Sequence, residues 1–333
     1  MTHWRLMVLA VCTWTLVASA AQDETRAAVT GRQKILVRSS RDGSLQPSYL
    51  IVPPDYSAAG PALPIVVSLH TWSFDLEQRL PTAEAEAARR NWIYLFPNFR
   101  GVDDHVEACG SELAQADVLD ALAWTRAHLR VDPRRIYLFG WSGGGHMALV
   151  MAGRAPELWA AVSAWAPISD MAAWYRELLP DRSPTVLRQI RACVGGAPGE
   201  NAAVDAQYRA RSPLSTIARA ASVPIDLWAG RHDGHAPPAD DVAVSHSLLT
   251  FNALAKTLGT IVISPTEIEQ LKPVDGRLSA PTPGDETRDP VIGRDTFLRR
   301  TAGPSRVTIY EGHHEMNAPS AFAWFDSHRQ PEK

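Results

Sequence analysis

The chain has 333 residues, roughly twice the length of a typical domain, but single α/β domains commonly reach this size, so we expect one domain with insertions. Its formal net charge is −3. The basic residues are dispersed along the chain, which argues against a nucleic-acid partner.

The first 20 residues predict a signal peptide. Arg5 precedes an apolar run over residues 6–17, and Ala18, Ser19 and Ala20 fit a cleavage site with small residues. The apolar run is too short for a comfortable membrane span, and no later segment is apolar enough over a sufficient length. We therefore expect removal of residues 1–20, export of residues 21–333 to the periplasm or the medium, and no membrane anchor.

Strands and helices alternate along the first part of the exported chain. The predicted elements are leading antiparallel strands at 35–38 and 49–52, a buried strand at 64–69, a helix at 80–90, a strand at 92–97 and an amphipathic helix at 115–129. Such a succession favours a parallel α/β sheet.

Residues 140–144, Gly-Trp-Ser-Gly-Gly, connect an apolar strand at 135–139 to a helix-like run at 146–152. A serine on such a turn has its hydroxyl exposed at the carboxyl edge of the sheet, so this context predicts a nucleophile elbow at Ser142 and not an ordinary glycine turn. A serine hydroxyl is a poor nucleophile at neutral pH. A general base and a group that orients the base are therefore expected further along the chain.

The orienting acid is expected after the strand at 223–230. A strand at 159–165 and a predicted helical excursion over the active-site edge, residues 167–210, precede it. Asp233 lies just past the strand end, where this acid belongs. The alternative is that Asp233 is only a turn residue before glycine. The weaker candidates are Asp226, within the strand, and Asp240 and Asp241, which begin a probable helix.

The base is expected after the strand at 306–310, where residues 311–315 read Glu-Gly-His-His-Glu and a helix follows through 321–325. Histidine suits this role because its unperturbed pKa lies near neutrality. The residues alone leave His313 and His314 as candidates. Residues 261–304, rich in proline, glycine and charge, form an insertion between the acid and the base.

The three motifs together resemble the catalytic domain of the prolyl oligopeptidase (S9-like) type of α/β-hydrolase. The resemblance rests on Gly-Trp-Ser-Gly-Gly-Gly at the elbow, Gly-x-x-Asp-Gly at the acid and Glu-Gly-x-His-Glu at the base, and it extends from about residue 35 to about residue 325. It implies a mostly parallel, doubly wound sheet with helices on both faces and a small helical lid. It assigns the base to His314, with His313 at a position that is commonly glycine.

An oxyanion hole needs the backbone N–H after the nucleophile, that of Gly143, and a second N–H from the loop after the third strand. Residues 70–73, His-Thr-Trp-Ser, stand where the family has a His-Gly-x turn. The resemblance thereby implies Trp72 as the second donor. Thr71 departs from the usual glycine, which leaves the choice between Thr71 and Trp72 open.

Three residues are candidates for substrate binding. Trp141 and Trp174 can supply aromatic walls for a sugar ring, an aromatic acid or a proline, with core packing as the alternative. Arg211 can bind a substrate carboxylate, with a structural ion pair as the alternative.

Cys109 and Cys193 are the two cysteines beyond residue 20. They form either one disulfide or two separate thiols.

The sequence therefore predicts an exported serine hydrolase that cleaves a small ester or a short peptide through an acyl-enzyme, with no cofactor and no metal. A carbohydrate or aromatic-acid esterase is the alternative among enzymes. A catalytically silent binding protein on the same fold is the alternative from another class, and the complete Ser, Asp and His set argues against it.

Overall fold

A computed structural model describes residues 31–178, 183–235 and 242–332. The predicted signal peptide, residues 1–20, and the acids Asp240 and Asp241 lie outside these described residues. Within the described ranges, no helix combines the length and the apolar character that a membrane span requires.

One sheet of nine strands runs through the described residues in the order β1-β2-β4-β3-β5-β6-β7-β9-β8. The strands are β1 Gly31–Arg38, β2 Leu45–Val52, β3 Leu63–Leu69, β4 Ile93–Pro97, β5 Val131–Trp141, β6 Ala161–Trp165, β7 Ile225–Gly230, β8 Thr296–Ala302 and β9 Ser305–Tyr310. The pairs from β4 through β3, β5, β6 and β7 to β9 are parallel. Antiparallel pairing is confined to β1, β2 and β8 at the two edges.

Helices connect these strands, mostly in alternation. They are α1 Pro81–Arg89, α2 Glu112–His128, α3 Gly143–Arg154, α4 Met171–Glu177, α5 Pro184–Val194, α6 Ala202–Arg211, α7 Ser245–Thr257, α8 Pro265–Leu271 and α9 Ala318–Asp326. The alternation of strands and helices expected from the sequence is confirmed.

The helices cover both faces of the sheet. Successive side chains of a strand point to opposite faces, so two neighbouring residues of one strand show which helices pack on each face. Val67 and Leu138 belong to a buried cluster that includes residues of α2, α3 and α7. Their chain neighbours Val66 and Tyr137 belong to a second cluster that includes residues of α1 and α9. The predicted doubly wound α/β-hydrolase architecture is therefore confirmed.

The helical excursion between β6 and β7 consists of α4, α5 and α6, here called the helical insertion. It has its own buried cluster, to which Trp72 and Cys109 contribute from outside the insertion. A disulfide joins Cys109 to Cys193, whose Cα atoms lie 6.1 Å apart. The helical insertion is thus covalently attached to the loop that follows β4.

The second insertion, residues 261–304, contains α8 and the whole of β8. Strand β8 pairs antiparallel with β9 and forms the last strand of the sheet. The composition of this segment indicated an insertion but not the strand within it.

Candidate active site

Ser142 lies on the tight turn between β5 and α3. Its backbone has φ 58° and ψ −123°, a conformation that non-glycine residues rarely adopt and that is concentrated at functional sites. A Cβ at Gly140 would overlap the carbonyl oxygen of Gly144, so only glycine permits a turn this tight. The Ser142 N–H donates to the carbonyl of Trp165 on β6 at 2.9 Å. The predicted elbow geometry is present.

The structure brings Ser142, His314 and Asp233 together in one hydrogen-bonded chain. The Ser142 Oγ lies 2.8 Å from His314 Nε2, and His314 Nδ1 lies 2.9 Å from Asp233 Oδ2. The Val242 N–H donates to Asp233 Oδ1 at 2.7 Å, which fixes the buried carboxyl from the other side. Because a carboxylate accepts, His314 Nδ1 carries the proton and Nε2 accepts from the serine hydroxyl.

The weaker acid candidate, Asp226, is engaged elsewhere. Its carboxylate receives hydrogen bonds from Arg306 Nε at 2.6 Å and from Trp228 Nε1 at 2.7 Å. Asp226 is therefore the buried partner of a partly exposed arginine in an ion pair within the sheet.

The neighbouring histidine, His313, is exposed, and its ring stacks on that of His232 with centroids 4.9 Å apart. His232 in turn contacts Glu311. Across the part of the chain that the structure describes, no three His, Cys, Asp or Glu side chains are arranged to hold a metal ion.

The backbones of Gly143 and Trp72 approach each other closely. A Cβ on residue 143 would overlap the backbone nitrogen of Trp72. The Thr71 N–H donates to Gln78 Oε1 at 2.8 Å, whereas the Trp72 N–H meets no acceptor among residues 31–178, 183–235 and 242–332. Gly143 is the first residue of α3, where an N–H has no partner within the helix. Of the two alternatives, the geometry favours Trp72 over Thr71.

Two predicted substrate contacts require correction. Trp174, in the helical insertion, is 1% exposed and packs edge to face against Trp72, so its ring offers no surface to a substrate. Arg211 is 6% exposed. Its guanidinium donates to the carbonyls of Val106 at 2.8 Å and Ala108 at 2.7 Å. These hydrogen bonds fix the loop after β4. They also occupy the donors that a substrate carboxylate would need.

Trp141, the third predicted contact, remains beside the triad. It is partly exposed, and its ring centroid lies 5.5 Å from that of His314. Its place next to Ser142 on the elbow keeps it available as a wall of the site.

Two other buried histidines lie near the triad without belonging to it. His70 Nε2 lies 2.8 Å from the carbonyl of Asn98, and His146 Nε2 lies 2.7 Å from the carbonyl of Arg211. Burial lowers the pKa of each ring to about 4. Both side chains are therefore neutral at physiological pH. His70 joins the loops that follow β3 and β4, and His146 joins α3 to the end of α6.

Comparison with known proteins decides the family. The model of the prolyl oligopeptidase family matches residues 73–263, more than half of the chain. This chain belongs to the prolyl oligopeptidase family. The matched segment of this prolyl oligopeptidase-family protein contains Ser142 and Asp233, while Trp72 and His314 lie on either side of it. Family and fold together identify a serine-peptidase-like α/β-hydrolase.

Each similar protein aligns with only part of this chain, and this chain aligns with only part of each similar protein. The uncharacterized peptidase YtmA of Bacillus subtilis (strain 168) is 26% identical over 165 residues, which are 49% of this chain and 58% of YtmA. The acylaminoacyl peptidase of Pyrococcus horikoshii matches with a TM-score of 0.55 and 19% identity over 73% of this chain and 37% of its own. Oligopeptidase B from Leishmania major matches with a TM-score of 0.57 and 12% identity over 89% of this chain and 35% of its own. The chain thus spans less than two thirds of each relative.

Sequence reasoning missed two side chains around the site of this family member. Gln78 binds Thr71 in the loop between β3 and α1, and Asp103 is a buried carboxyl that accepts the Cys109 N–H. Neither has a local signature in the sequence. A single amide or acid in a loop is usually exposed, so only the folded structure shows what it contacts.

Proposed function

We propose that this protein is a serine hydrolase that cleaves a peptide or ester bond through an acyl-enzyme. The observation that carries the proposal is the hydrogen-bonded chain from Ser142 through His314 to Asp233. Ser142 acts as the nucleophile, His314 as the general base and Asp233 as the group that orients the imidazole.

In the first half of the reaction, Ser142 Oγ attacks the carbonyl carbon of the substrate while His314 Nε2 takes the hydroxyl proton. The carbonyl oxygen becomes an oxyanion, and the N–H groups of Gly143 and Trp72 stabilise it. The loss of one such donor typically lowers kcat by about 10²- to 10³-fold. His314 then gives its proton to the departing amine or alcohol, which leaves an ester on Ser142.

In the second half, a water molecule attacks the acyl carbon and His314 Nε2 takes its proton. Collapse of the second tetrahedral intermediate returns that proton to Ser142 Oγ and releases the acid product. Asp233 holds the imidazole with Nδ1 protonated throughout, and it stabilises the imidazolium that forms in each half.

We propose a short peptide, or a small peptide-like amide, as the substrate class, with a carbohydrate or aromatic-acid ester as the second candidate. The family, and relatives whose names describe peptidases, support the first. The partly exposed ring of Trp141 beside His314 favours the second, because an indole can stack on a sugar or an aromatic acid.

We also propose that the protein works after export. The sequence of residues 1–20 supports this, and so does the disulfide between Cys109 and Cys193. Disulfides persist in the periplasm and outside the cell and are rare in the cytosol.

A substrate panel tests the proposed function. The purified chain of residues 21–333 and its Ser142→Ala variant are assayed with aminoacyl and prolyl p-nitroanilides, short-chain p-nitrophenyl esters, and acetylated and feruloylated sugars. We expect turnover of the amides, and a loss of about 10⁴-fold or more in the variant on every active substrate. Turnover confined to the sugar esters would favour the second candidate. Equal rates in both proteins would contradict the role of Ser142.

A further inference from the structure

The loop between β3 and α1, residues 70–80, is held by a side chain with no assigned role. Gln78 contacts Thr71 through both ends of its amide. The Thr71 N–H donates to Gln78 Oε1 at 2.8 Å, and Gln78 Nε2 donates to Thr71 Oγ1 at 2.9 Å. Gln78 is itself partly buried, and its own N–H donates to the carbonyl of Asp75 at 3.1 Å. The two residues thus close the loop on itself.

This closure fixes the backbone next to Trp72. The Thr71 carbonyl accepts the Phe74 N–H at 3.1 Å. In a trans peptide the C=O of one residue points opposite to the N–H of the next, so the direction of the Thr71 carbonyl sets the direction of the Trp72 N–H. Gln78 fixes the preceding peptide through the Thr71 N–H. Every polar group of Thr71 is therefore engaged within the loop.

The other side of Trp72 is fixed as well. Its carbonyl accepts the Asp103 N–H at 3.1 Å, and its indole is buried against Trp174. Of the two adjacent N–H groups at 71 and 72, only that of Trp72 meets no acceptor within the described ranges. Loss of Gln78 would give the loop a second unpaired N–H, and the loop could turn either one toward the substrate.

We propose that Gln78 is a positioning residue for the oxyanion hole. It holds the Thr71 N–H away from the site and sets the angle at which the Trp72 N–H joins that of Gly143. Thr71 supplies the hydroxyl for the second bond, so Thr71 and Gln78 act as a pair. This proposal rests on the proposed function, because an oxyanion forms only if Ser142 attacks a carbonyl.

The test compares Gln78→Ala with the wild type in the hydrolysis of p-nitrophenyl acetate. We expect kcat to fall by about 10- to 100-fold. This is a smaller decrease than the removal of one oxyanion donor causes, because the donor is still present but less well aligned. KM should change little, because the donor contacts the oxygen mainly in the transition state. Inhibition by 2-phenylethaneboronic acid, which forms a tetrahedral adduct on serine, should weaken in parallel. A loss confined to KM would overturn the proposal.

Gln270→Ala is the matched control. Gln270 makes the same pair of bonds to a hydroxyl residue away from the triad. Its Nε2 donates to Ser279 Oγ at 2.9 Å, and its Oε1 accepts the Ser279 N–H at 3.0 Å. We expect this variant to keep the wild-type kcat. Equal kcat values in the two alanine variants would overturn the proposal.

Gln78→Glu is the rescue variant, because a carboxylate can accept both the Thr71 N–H and the Thr71 hydroxyl. It should restore the slow hydrogen exchange of residues 70–78, and exchange as fast as in Gln78→Ala would count against positioning. Its kcat is not the readout, because the added negative charge next to the oxyanion hole opposes the oxyanion. Hydrogen exchange of residues 70–78 supplies a readout that needs no turnover. The alanine variant should exchange faster there, and unchanged exchange would overturn the proposal. An inactive wild type whose loop is nevertheless loosened by Gln78→Ala would refute only the proposed function.

Discussion

Adjacent histidines at the end of β9 have different surroundings, and these decide their chemistry. His314 contacts Ser142 with one ring nitrogen and Asp233 with the other. His313 is exposed and stacks on His232. A shift of one residue in the loop would exchange these surroundings, so the pair is a sensitive test of the site.

Substitution of each histidine should separate them. His314→Ala should lower kcat by about 10⁴-fold or more, because it removes the general base of a triad. His313→Gly should keep most of the activity, because it removes only an exposed ring. The measurement is kcat and KM on the best substrate of the panel, with His232→Ala as a control for loss of the stacking partner. The reverse order of losses would show that His313 is the base.

Asp103 makes stability depend on pH. Its carboxyl is buried, and burial raises its pKa from 3.8 to about 8. Between these values the folded state holds a proton that the unfolded state releases. The free energy of unfolding therefore falls as pH rises through this window, by about 1.4 kcal/mol per pH unit from this group.

Asp103→Asn should remove this dependence and keep an acceptor for the Cys109 N–H. Between pH 5.5 and pH 7.5 the variant should gain up to about 3 kcal/mol of stability relative to the wild type. Urea unfolding at several pH values measures the difference. Asp104→Asn is the control, since Asp104 is the exposed neighbour. A constant difference between Asp103→Asn and the wild type across this range would show that the carboxyl is ionised in the folded state.

Local signals were sufficient for some residues and not for others. Ser142, Asp233 and the two histidines were placed because each follows a strand with a clear apolar run. For Trp174 and Arg211 the sequence leaves substrate binding and a structural role open, because their burial depends on the fold of the helical insertion. The choice of Trp72 over Thr71 required the position of Gln78, which no local pattern encodes.

At the scale of elements, the strands and helices near the site follow from apolar periodicity, and their ends agree with the structure within a few residues. Strand β8 was missed because its sequence, Thr-Phe-Leu-Arg-Arg-Thr-Ala, lies in a segment rich in proline and charge. Pairing with β9 at the edge of the sheet makes it a strand. Long-range pairing of this kind leaves little trace in the sequence.

The disulfide between Cys109 and Cys193 couples the helical insertion to the site. The cysteines lie 84 residues apart in sequence, and both belong to the buried cluster that holds the Trp72 indole. Closing a loop of that length stabilises a fold by about 2 to 5 kcal/mol. The bridge should therefore affect both the stability of the insertion and the alignment of the Trp72 N–H.

The Cys109→Ala/Cys193→Ala variant should have a lower unfolding temperature and faster proteolysis within residues 171–211. Its kcat should fall by several-fold with a smaller change in KM. Thermal unfolding, limited proteolysis and steady-state kinetics check this, and alkylation of the native wild type before reduction should modify neither cysteine. Wild-type behaviour of the variant in all three measurements would show that the bridge stabilises neither the insertion nor the site.

At the scale of the whole molecule, the sheet assembles the site. Ser142, Asp233 and His314 are far apart in sequence, but each follows one of the strands β5, β7 and β9. Because these strands are parallel, their carboxyl ends meet at one edge of the sheet. The chain order Ser, Asp, His and the strand before each residue were enough to predict this convergence. The helical insertion that packs beside Trp72 could be located from sequence but not oriented.

The most direct test of the central claim is the site of covalent labelling by a fluorophosphonate. Such a probe phosphonylates a serine only when a base activates it and an oxyanion hole receives the developing charge. The labelled protein is digested and the modified peptide identified by mass spectrometry, with Ser142→Ala and His314→Ala treated in parallel. We predict one adduct, on Ser142, in the wild type and little or no labelling in either variant. An adduct on another serine, or equal labelling of all three proteins, would contradict the account.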